Sequence, residues 1–514
     1  MDFNLLKDLC SKKGVSGDER EIAQFIAEEI KPFADIVEIS PLNSVFALKK
    51  SKNENAKTLI LDAHIDSVGL IVKEKLEIPA DSNFADGDTP YEFRILGLDN
   101  GAYTHIDLTA DEILEEPIND AVYERNTILE EKLGVKIVGT INTPGNVLAT
   151  ARNNIQADND AYDLYMPPMN SAVVLATEGH LENLLEVPYL DLSKSWWDQN
   201  VNRDLVIKNK LYFTTGEISI LDDDLTFIIT FNKDALEEKL PDVNPYQMVK
   251  DYKWTIDNLL EIVKDLNDDT NSNGKMDEAD SWGFMLNSNN STIFYQSAGE
   301  RIVKPDGEGG FKFGLDESRA LTVTEKVLNF MLDNEFFRTD LMGSADTQLA
   351  KFMEGSVMFR ATVFSVARQQ RGMEMNFGIL PNPMFDEEQK QYYTPTSSKG
   401  YLPGVCIPSC ASDLERTGII TEALAYYSSE YLTPAFYEAS IKGVLTRDEE
   451  SNDMLDIIFN TKVYDLGYIY DFAGKGFILR EFIQNNSKNY ASEFDKVKGS
   501  IESAIGDVLD KFEF

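Results

Sequence analysis

Two stretches of this chain carry side chains whose types and spacing could hold a metal. His64-Ile65-Asp66, within Ala63-His64-Ile65-Asp66-Ser67-Val68-Gly69-Leu70, sets an imidazole and a carboxylate two residues apart at the end of an apolar run. That pairing suits metal-assisted hydrolysis, but such a site takes three or four protein ligands per metal and usually more than one imidazole. Only His64, His105 and His180 occur in 514 residues, so a zinc centre is not expected. The second stretch, Asp269 to Asp280, reads DTNSNGKMDEAD. Asp269, Asn271, Asn273, Asp277 and Asp280 fall at positions 1, 3, 5, 9 and 12 of a twelve-residue calcium loop, Gly274 at the sharp turn, and Lys275 where a backbone carbonyl serves. Asp280 stands where a bidentate glutamate is usual, one methylene shorter. A structural Ca2+ ion is expected here; the alternative is a polar Asn/Asp turn that binds nothing.

The elements around these stretches follow from periodicity. Phe3 to Leu9 and Glu21 to Ile30 have helical spacing, and strand-like runs follow at 36–39, 45–48 and 58–61. Residues 78–90 are Asp-rich and broken by Pro and Gly, the composition of a linker. A strand then starts at Tyr91, and helical segments alternate with short strands, as in Asn119 to Leu133, Val135 to Ile137 and Asp163 to Met166. Such alternation predicts α/β lobes. Ile256 to Leu266 reads as a helix with Thr255 as its N-cap and Trp254 and Leu259 as a hydrophobic staple. Trp282-Gly283-Phe284 reads as strand, which makes the calcium loop an isolated one rather than half of a paired sensor. Gly307-Glu308-Gly309-Gly310 has no helix opening behind it and reads as a hairpin turn, and no P-loop, dinucleotide fingerprint or serine elbow occurs.

Composition narrows the partners. The 88 acidic and 48 basic residues give a formal charge of −40, which repels nucleic-acid backbones and anionic membrane surfaces. Cys10, Cys406 and Cys410 are too few and too scattered for a disulfide framework. No apolar run approaches the roughly 20 residues of a membrane span, so direct membrane insertion is not expected.

Two resemblances cover the chain in turn. Gly14-Val15-Ser16-Gly17-Asp18-Glu19 followed by AHIDSVGLIV resembles the start of the M42 family of metallo-aminopeptidases. The resemblance makes His64 a metal ligand and Asp66 its support. No later motif matches the family's remaining ligands, so residues 1–77 read as a truncated, vestigial segment. From about residue 90 onward the chain resembles the extracellular solute-binding proteins of bacterial ABC importers. The matching pieces fall in order: Glu116 to Asn126 entering a helix, Asp163-Leu164-Tyr165 at a strand end, Phe231-Asn232-Lys233-Asp234, Phe352 to Phe359, and Phe377 to Pro381. This resemblance implies two α/β lobes of periplasmic-binding-protein type over residues 91–514, with a first crossing near 228–234 and a return near 394–402.

Its implied function is capture of a small solute, an oligosaccharide above all, between lobes that close by hinge motion and deliver it to permease subunits. Flat aromatic faces stack on sugar rings, and Tyr165, Trp196, Trp197, Trp282 and Tyr401 are the candidate contacts, although buried aromatics usually serve cores. Asp191 and Asp198, flanking the tryptophan pair, are candidate hydroxyl acceptors. The runner-up function is an M42-type aminopeptidase using His64 and Asp66; a third role for the N-terminal segment is oligomerisation. The importer resemblance implies an extracellular protein, whereas the N-terminal stretch lacks an export signal, so a chain made as written would stay in the cytoplasm.

Overall fold

The computed structural model describes residues 20–39, 45–52, 74–99, 108–342, 345–369, 375–438 and 449–512. The chain divides into two compact units, Met1–Lys75 and Leu76–Phe514. In the first, helix α1 (Arg20–Ile30) buries Ile22 and Ala23. Strands β1 (Ile36–Ile39) and β2 (Val45–Leu48) form an antiparallel pair with Ile36 opposite Leu48 and Ile39 opposite Val45. The expected helix at Phe3 to Leu9, the strand at 58–61, and His64 and Asp66 lie outside the described residues.

The acidic stretch expected to be a linker is instead packed. The Phe84 N–H bonds the Leu133 carbonyl at 2.7 Å, Asp86 and Thr89 bridge each other, and Leu76, Ile78 and Phe84 rest on the core of the second unit. Three apolar side chains among the acids are enough to dock it, a signal that composition averaged away.

Lobe A of the second unit is a parallel sheet in the order β4-β3-β5. Strand β3 (Tyr91–Leu98) leads by way of helix α2 (Pro117–Leu133) to β4 (Val135–Asn142), and the two strands pair from Tyr91–Val135 to Leu98–Asn142. A parallel neighbour requires a crossover of this kind. Helix α2 begins because Glu116 accepts the Asn119 N–H at 2.8 Å and Pro117 occupies the first turn, where no N–H is needed. It ends because Gly134 adopts φ 62. A Cβ there would also stand 2.3 Å from Asn83 Oδ1 in the docked acidic stretch. Helix α3 (Pro144–Gln156), strand β5 (Leu164–Tyr165) and helix α4 (Met169–Thr177) complete this part.

Lobe B is a five-stranded sheet in the order β8-β7-β9-β6-β10. Its strands are β6 (Phe227–Asn232), β7 (Trp282–Leu286), β8 (Phe337–Arg338), β9 (Val357–Val363) and β10 (Phe377–Leu380). Only β6 runs against the others, bonded to β9 on one side and β10 on the other. The helix Ile256–Val263 starts where expected: Thr255 Oγ1 accepts the Asn258 N–H at 3.2 Å, and Trp254 is buried with its indole N–H on the Pro381 carbonyl. Gly307 and Gly309, both with positive φ, turn a hairpin between Val303–Pro305 and Phe311–Phe313.

Because β6 is paired with β9 from Phe227 onward and with β10 from Ile229 onward, the chain has already reached lobe B at Phe227. The first passage therefore lies just ahead of it, not at 228–234; a central strand must satisfy its N–H and C=O groups within the sheet and cannot also serve as a hinge. On the return, β11 (Thr394–Pro395) is followed by Thr396, which pairs with Thr226, while Pro403 to Pro408 already pair with Pro168, Tyr165, Thr214 and Leu181 of lobe A. Helix α5 (Leu414–Tyr437) then packs on α2, where Ser428 and Tyr427 accept bonds from Arg125 and Lys132. Helix α6 (Glu449–Asn460) packs on β10 of lobe B, and β12 (Lys462–Val463) lies parallel to β11. Helix α7 (Leu466–Tyr470) touches α4 in lobe A while its Gly467 meets Ile302 in lobe B. Among the described residues no helix is long and apolar enough to cross a membrane.

Candidate ligand cleft and hinge

In open α/β sheets ligands bind outside the carboxyl ends of the strands, where loops can converge without breaking the ladder. In lobe B those ends are Asn287 to Asn289 after β7, Thr339 and Asp340 after β8, and Phe364 and Ser365 after β9. The first two of these are linked to each other. Arg338 donates to Ser288 Oγ at 2.8 Å and pairs with Asp340 at 3.2 Å, and the Ser288 hydroxyl donates to the same carboxylate. Burial opposes ionisation of Asp340, but the bonds from Arg338 and Ser288 hold it below the usual carboxylate range. Asn289 Oδ1, Thr292 Oγ1 and Ser365 Oγ are buried with no hydrogen-bond partner in the protein. Such groups cost about 1–3 kcal/mol each when left unpaired, so each lacks a partner that the surrounding protein does not supply. In lobe A the corresponding ends are Asp99, Asn142 and Thr143, and Met166 to Pro168.

The lobes meet at a buried lysine. Lys462 Nζ lies 2.7 Å from Asp222 Oδ2, 2.8 Å from Asp223 Oδ1 and 3.1 Å from Asp198 Oδ2. Each partner comes from a different part of the junction: Asp198 from lobe A, Asp222 and Asp223 from the approach to β6, and Lys462 from β12 beside the return strand. Asp198 also caps the helix Gln199–Asp204 and accepts from the Tyr464 hydroxyl at 2.8 Å. Burial works against the charge on Lys462, but its three carboxylates keep it protonated well above the ordinary lysine range. One ammonium cannot neutralise three buried carboxylates. The surplus is relieved at Asp222, whose pKa burial and its acidic neighbours raise well above normal, while Lys462 and hydrogen bonds outweigh burial at Asp198 and lower it.

Most of the aromatic candidates turn inward. Tyr165 is fully buried, its hydroxyl accepting from Asn154 at 3.3 Å and its ring edge-on to Tyr162. Trp196 and Trp197 are buried side by side, and their indole N–H groups donate to the two oxygens of Glu422, each at 2.9 Å. Glu422, 2% exposed, is pushed by burial up to about 7. Trp282 is buried with its N–H on the Asp277 carbonyl at 3.0 Å. Tyr401 alone of the five presents a surface, at 47% exposure. The two flanking acids are also occupied: Asp191 accepts from Ser193, and Asp198 belongs to the lysine cluster. Physically, a tryptophan pair beside an acid invites stacking with a ligand, but the same groups close a core when a carboxylate from another element meets both indoles.

The calcium-type loop closes on itself. Asp268 and Ser281 pair across its base, Gly274 takes φ +79, and Asp269 accepts the Asn273 and Gly274 N–H groups at 3.1 and 2.8 Å. Asn271 and Asn273 each accept an N–H two residues on, at 2.9 Å, and the fully buried Asp280 accepts the Asp277 N–H at 2.7 Å. Among the described residues no three His, Cys, Asp or Glu side chains converge as a metal-binding group; the loop's oxygens include two amides, which that chemistry leaves out. Lys275 sits at the exposed rim. Cys406 and Cys410 are free thiols, both raised by burial.

Reasoning from sequence missed Lys462 and Glu422. Only the second had a readable signal, a lone acid within the apolar run Ile419-Ile420-Thr421-Glu422-Ala423-Leu424-Ala425.

No protein-family model matches the chain. A protein of Acetivibrio thermocellus named "Putative aminopeptidase" is 40% identical over 70 residues, 14% of this chain, and the chain spans only 20% of that relative's length. Solved structures are similar over far more of it. An ABC substrate-binding protein from Listeria monocytogenes in complex with cycloalternan matches with TM-score 0.55 and 12% identity, covering 81% of this chain and 99% of that one. A cyclo/maltodextrin-binding protein complexed with maltotetraose matches with TM-score 0.53 and 14% identity, covering 82% and 98%. The maltose/maltodextrin-binding domain from Bdellovibrio bacteriovorus bound to maltotriose gives 0.51 and 14%, covering 81% and 100%. The second unit thus has the two-lobed α/β fold of these binding proteins.

Proposed function

We propose that Leu76–Phe514 is the solute-binding component of an ABC-type importer, taking an oligosaccharide between its lobes outside the cytoplasmic membrane and passing it to permease subunits. The observation that carries this reading is the pairing of two α/β lobes across passages pinned at Lys462, with an unsatisfied polar edge at the carboxyl ends of lobe B. Proteins of the same fold were solved holding maltotetraose, cycloalternan and maltotriose. Ser288, Asn289, Thr292 and Asp340 supply hydroxyl partners, and Tyr401 supplies an exposed ring. Capture and hinge closure need no bond-making residue. Thermal-shift screening of the full chain against linear and cyclic glucans and against peptides tests the reading: a glucan should raise the melting temperature, and a flat response to both sets rejects it.

The 70-residue likeness to an aminopeptidase supports reading the first unit as a truncated piece of such an enzyme, without activity of its own. Release of nitroaniline from aminoacyl-nitroanilides with added zinc or cobalt would overturn that. A structural Ca2+ at Asp269, Asn271, Asn273, the Lys275 carbonyl, Asp277 and Asp280 is a separate proposal, supported by loop spacing and by side-chain oxygens gathered on backbone N–H groups. Calcium should raise the melting temperature relative to chelator and Asp269→Ala should remove the difference; identical wild-type curves reject it.

A further inference from the structure

Tyr252 occupies a backbone position that its side chain does not favour. The helix Pro245–Lys250 ends in a turn where the Tyr252 and Lys253 N–H groups bond the Val249 and Met248 carbonyls, and Tyr252 takes φ 57. Glycine or asparagine is the usual residue there, because a Cβ in the left-handed region is strained. Burial does not offset the strain, since Tyr252 is 45% exposed. Its ring lies on that of Tyr392, centroids 5.9 Å apart and 23° from parallel, and the Tyr392 hydroxyl is fixed by donating to the Val249 carbonyl at 3.1 Å. One flat apolar face is thus held open beside a cavity of 350 Å³ lined by Val249, Tyr252, Tyr392 and Ile457.

A second, more polar cavity of 430 Å³ adjoins it, and Gln391, Tyr392, Asn460 and Thr461 line both. Its walls are Asn200, Arg203 and Asp204 from lobe A and Gly299 and Arg301 from lobe B, with Tyr393 near both arginines. Among the described residues, no protein group bonds the Gln391 and Asn460 side-chain amides or the Tyr393 hydroxyl. Arg203 pairs with Asp204 at 2.7 Å, and Arg301 donates to the Gln296 and Glu300 carbonyls and attracts the charge of the buried Asp465. Each guanidinium is matched by a carboxylate, so the cavity lacks the positive field that would select an anion. Neither cavity reaches the candidate cleft: Asn289 and Thr292 lie at the first turn of the helix Asn290–Ser297, whereas Gly299 and Arg301 follow its last. Both volumes fall within about 300–1,000 Å³, the range of small-molecule sites.

We propose that the joined cavities are a second ligand site, which takes one or two rings of a neutral saccharide. A sugar ring has an apolar C–H face and a rim of hydroxyls. The face stacks on the open side of Tyr252, and the hydroxyls meet the Gln391 and Asn460 amides, the Tyr393 hydroxyl and the Arg203 and Arg301 guanidiniums. The site does not rest on the binding-protein reading of the cleft.

Saturation-transfer difference NMR of the full chain tests this, with glucose, galactose, maltose, lactose and trehalose as neutral probes and gluconate and glucose 6-phosphate as charged ones. At least one neutral sugar should give transfer that survives Asp340→Ala in the cleft and falls about fivefold or more in both Tyr252→Gly and Asn460→Ala. Tyr252→Gly suits the left-handed backbone and should raise the melting temperature while losing the sugar, which separates a binding role from a structural one. No transfer to any neutral sugar, transfer lost in Asp340→Ala but kept in Tyr252→Gly, or stronger transfer to the charged probes overturns the proposal. A lower melting temperature in Tyr252→Gly does the same, because the ring would then be a packing group. A cleft that binds no glucan, beside transfer that depends on Tyr252 and Asn460, rejects the function and leaves this site; glucan binding that ignores both substitutions rejects this site alone.

Discussion

Replacing Lys462 with methionine tests the junction most directly. The substitution keeps most of the apolar stem while removing the charge that lies 2.7–3.1 Å from Asp222, Asp223 and Asp198. The carboxylate side chains are 4–13% exposed, so water replaces the lost partner poorly. Breaking a buried pair by deleting one member costs about 3–5 kcal/mol, because the other is left charged and desolvated. The stranded carboxylates can escape by taking up protons, so the cost must grow with pH: native Asp198 and Asp222 in the variant bind protons that the unfolded chain has already released, and stability falls as pH rises above the ordinary aspartate range. Urea unfolding at about pH 5 and about pH 8 should therefore give a loss near the lower bound in acid and near the upper bound in base. Adding Asp222→Asn to Lys462→Met should recover about 1–3 kcal/mol at the higher pH by removing one unpaired charge. A loss below about 1 kcal/mol at the higher pH, the size of an exposed pair, would refute the cluster as a buried pin. So would equal losses at both.

Glu422→Ala leaves two buried indole N–H groups without an acceptor and should cost about 2–6 kcal/mol, with Glu422→Gln losing about half of that; equal stability of the alanine variant in urea unfolding would refute the assignment. Because burial raises Glu422 from 4.5 to about 7, the folded state holds a proton that the unfolded chain gives up, and stability should drop by about 3 kcal/mol as pH rises from about 4.5 to about 7. Glu422→Gln should flatten that part of the profile, and an unchanged slope would count against it. Gly418→Ala, inside α5, would place a Cβ 2.0 Å from the Pro188 carbonyl oxygen. It should destabilise by about 1–3 kcal/mol through overpacking despite the gain in helix propensity, and a rise in melting temperature would show that the helix can shift away.

Periodicity and capping chemistry made much of the fold readable before any coordinates. The strand at Tyr91, the helix ended by Gly134, the Thr255 cap with its buried Trp254, and the glycine hairpin at 307–310 each depend on neighbours within a few residues. The site was far less readable. Trp196 and Trp197 look alike whether they face a ligand or a core, and the choice falls to Glu422, more than 220 residues away in sequence. The first passage was displaced from 228–234 for a similar reason, since only pairing with β9 shows that Phe227 is already in a sheet.

By itself the sequence determined what local physics can determine: α/β elements and their caps, the spacing of the calcium-type loop, and a strongly acidic composition. Tertiary structure decided which polar residues matter together. Lys462, Asp198, Asp222 and Asp223 are unremarkable where they stand in the chain, and become one electrostatic unit because desolvation and proximity, which strengthen charge interactions most, arise only when distant segments meet at the junction of the lobes.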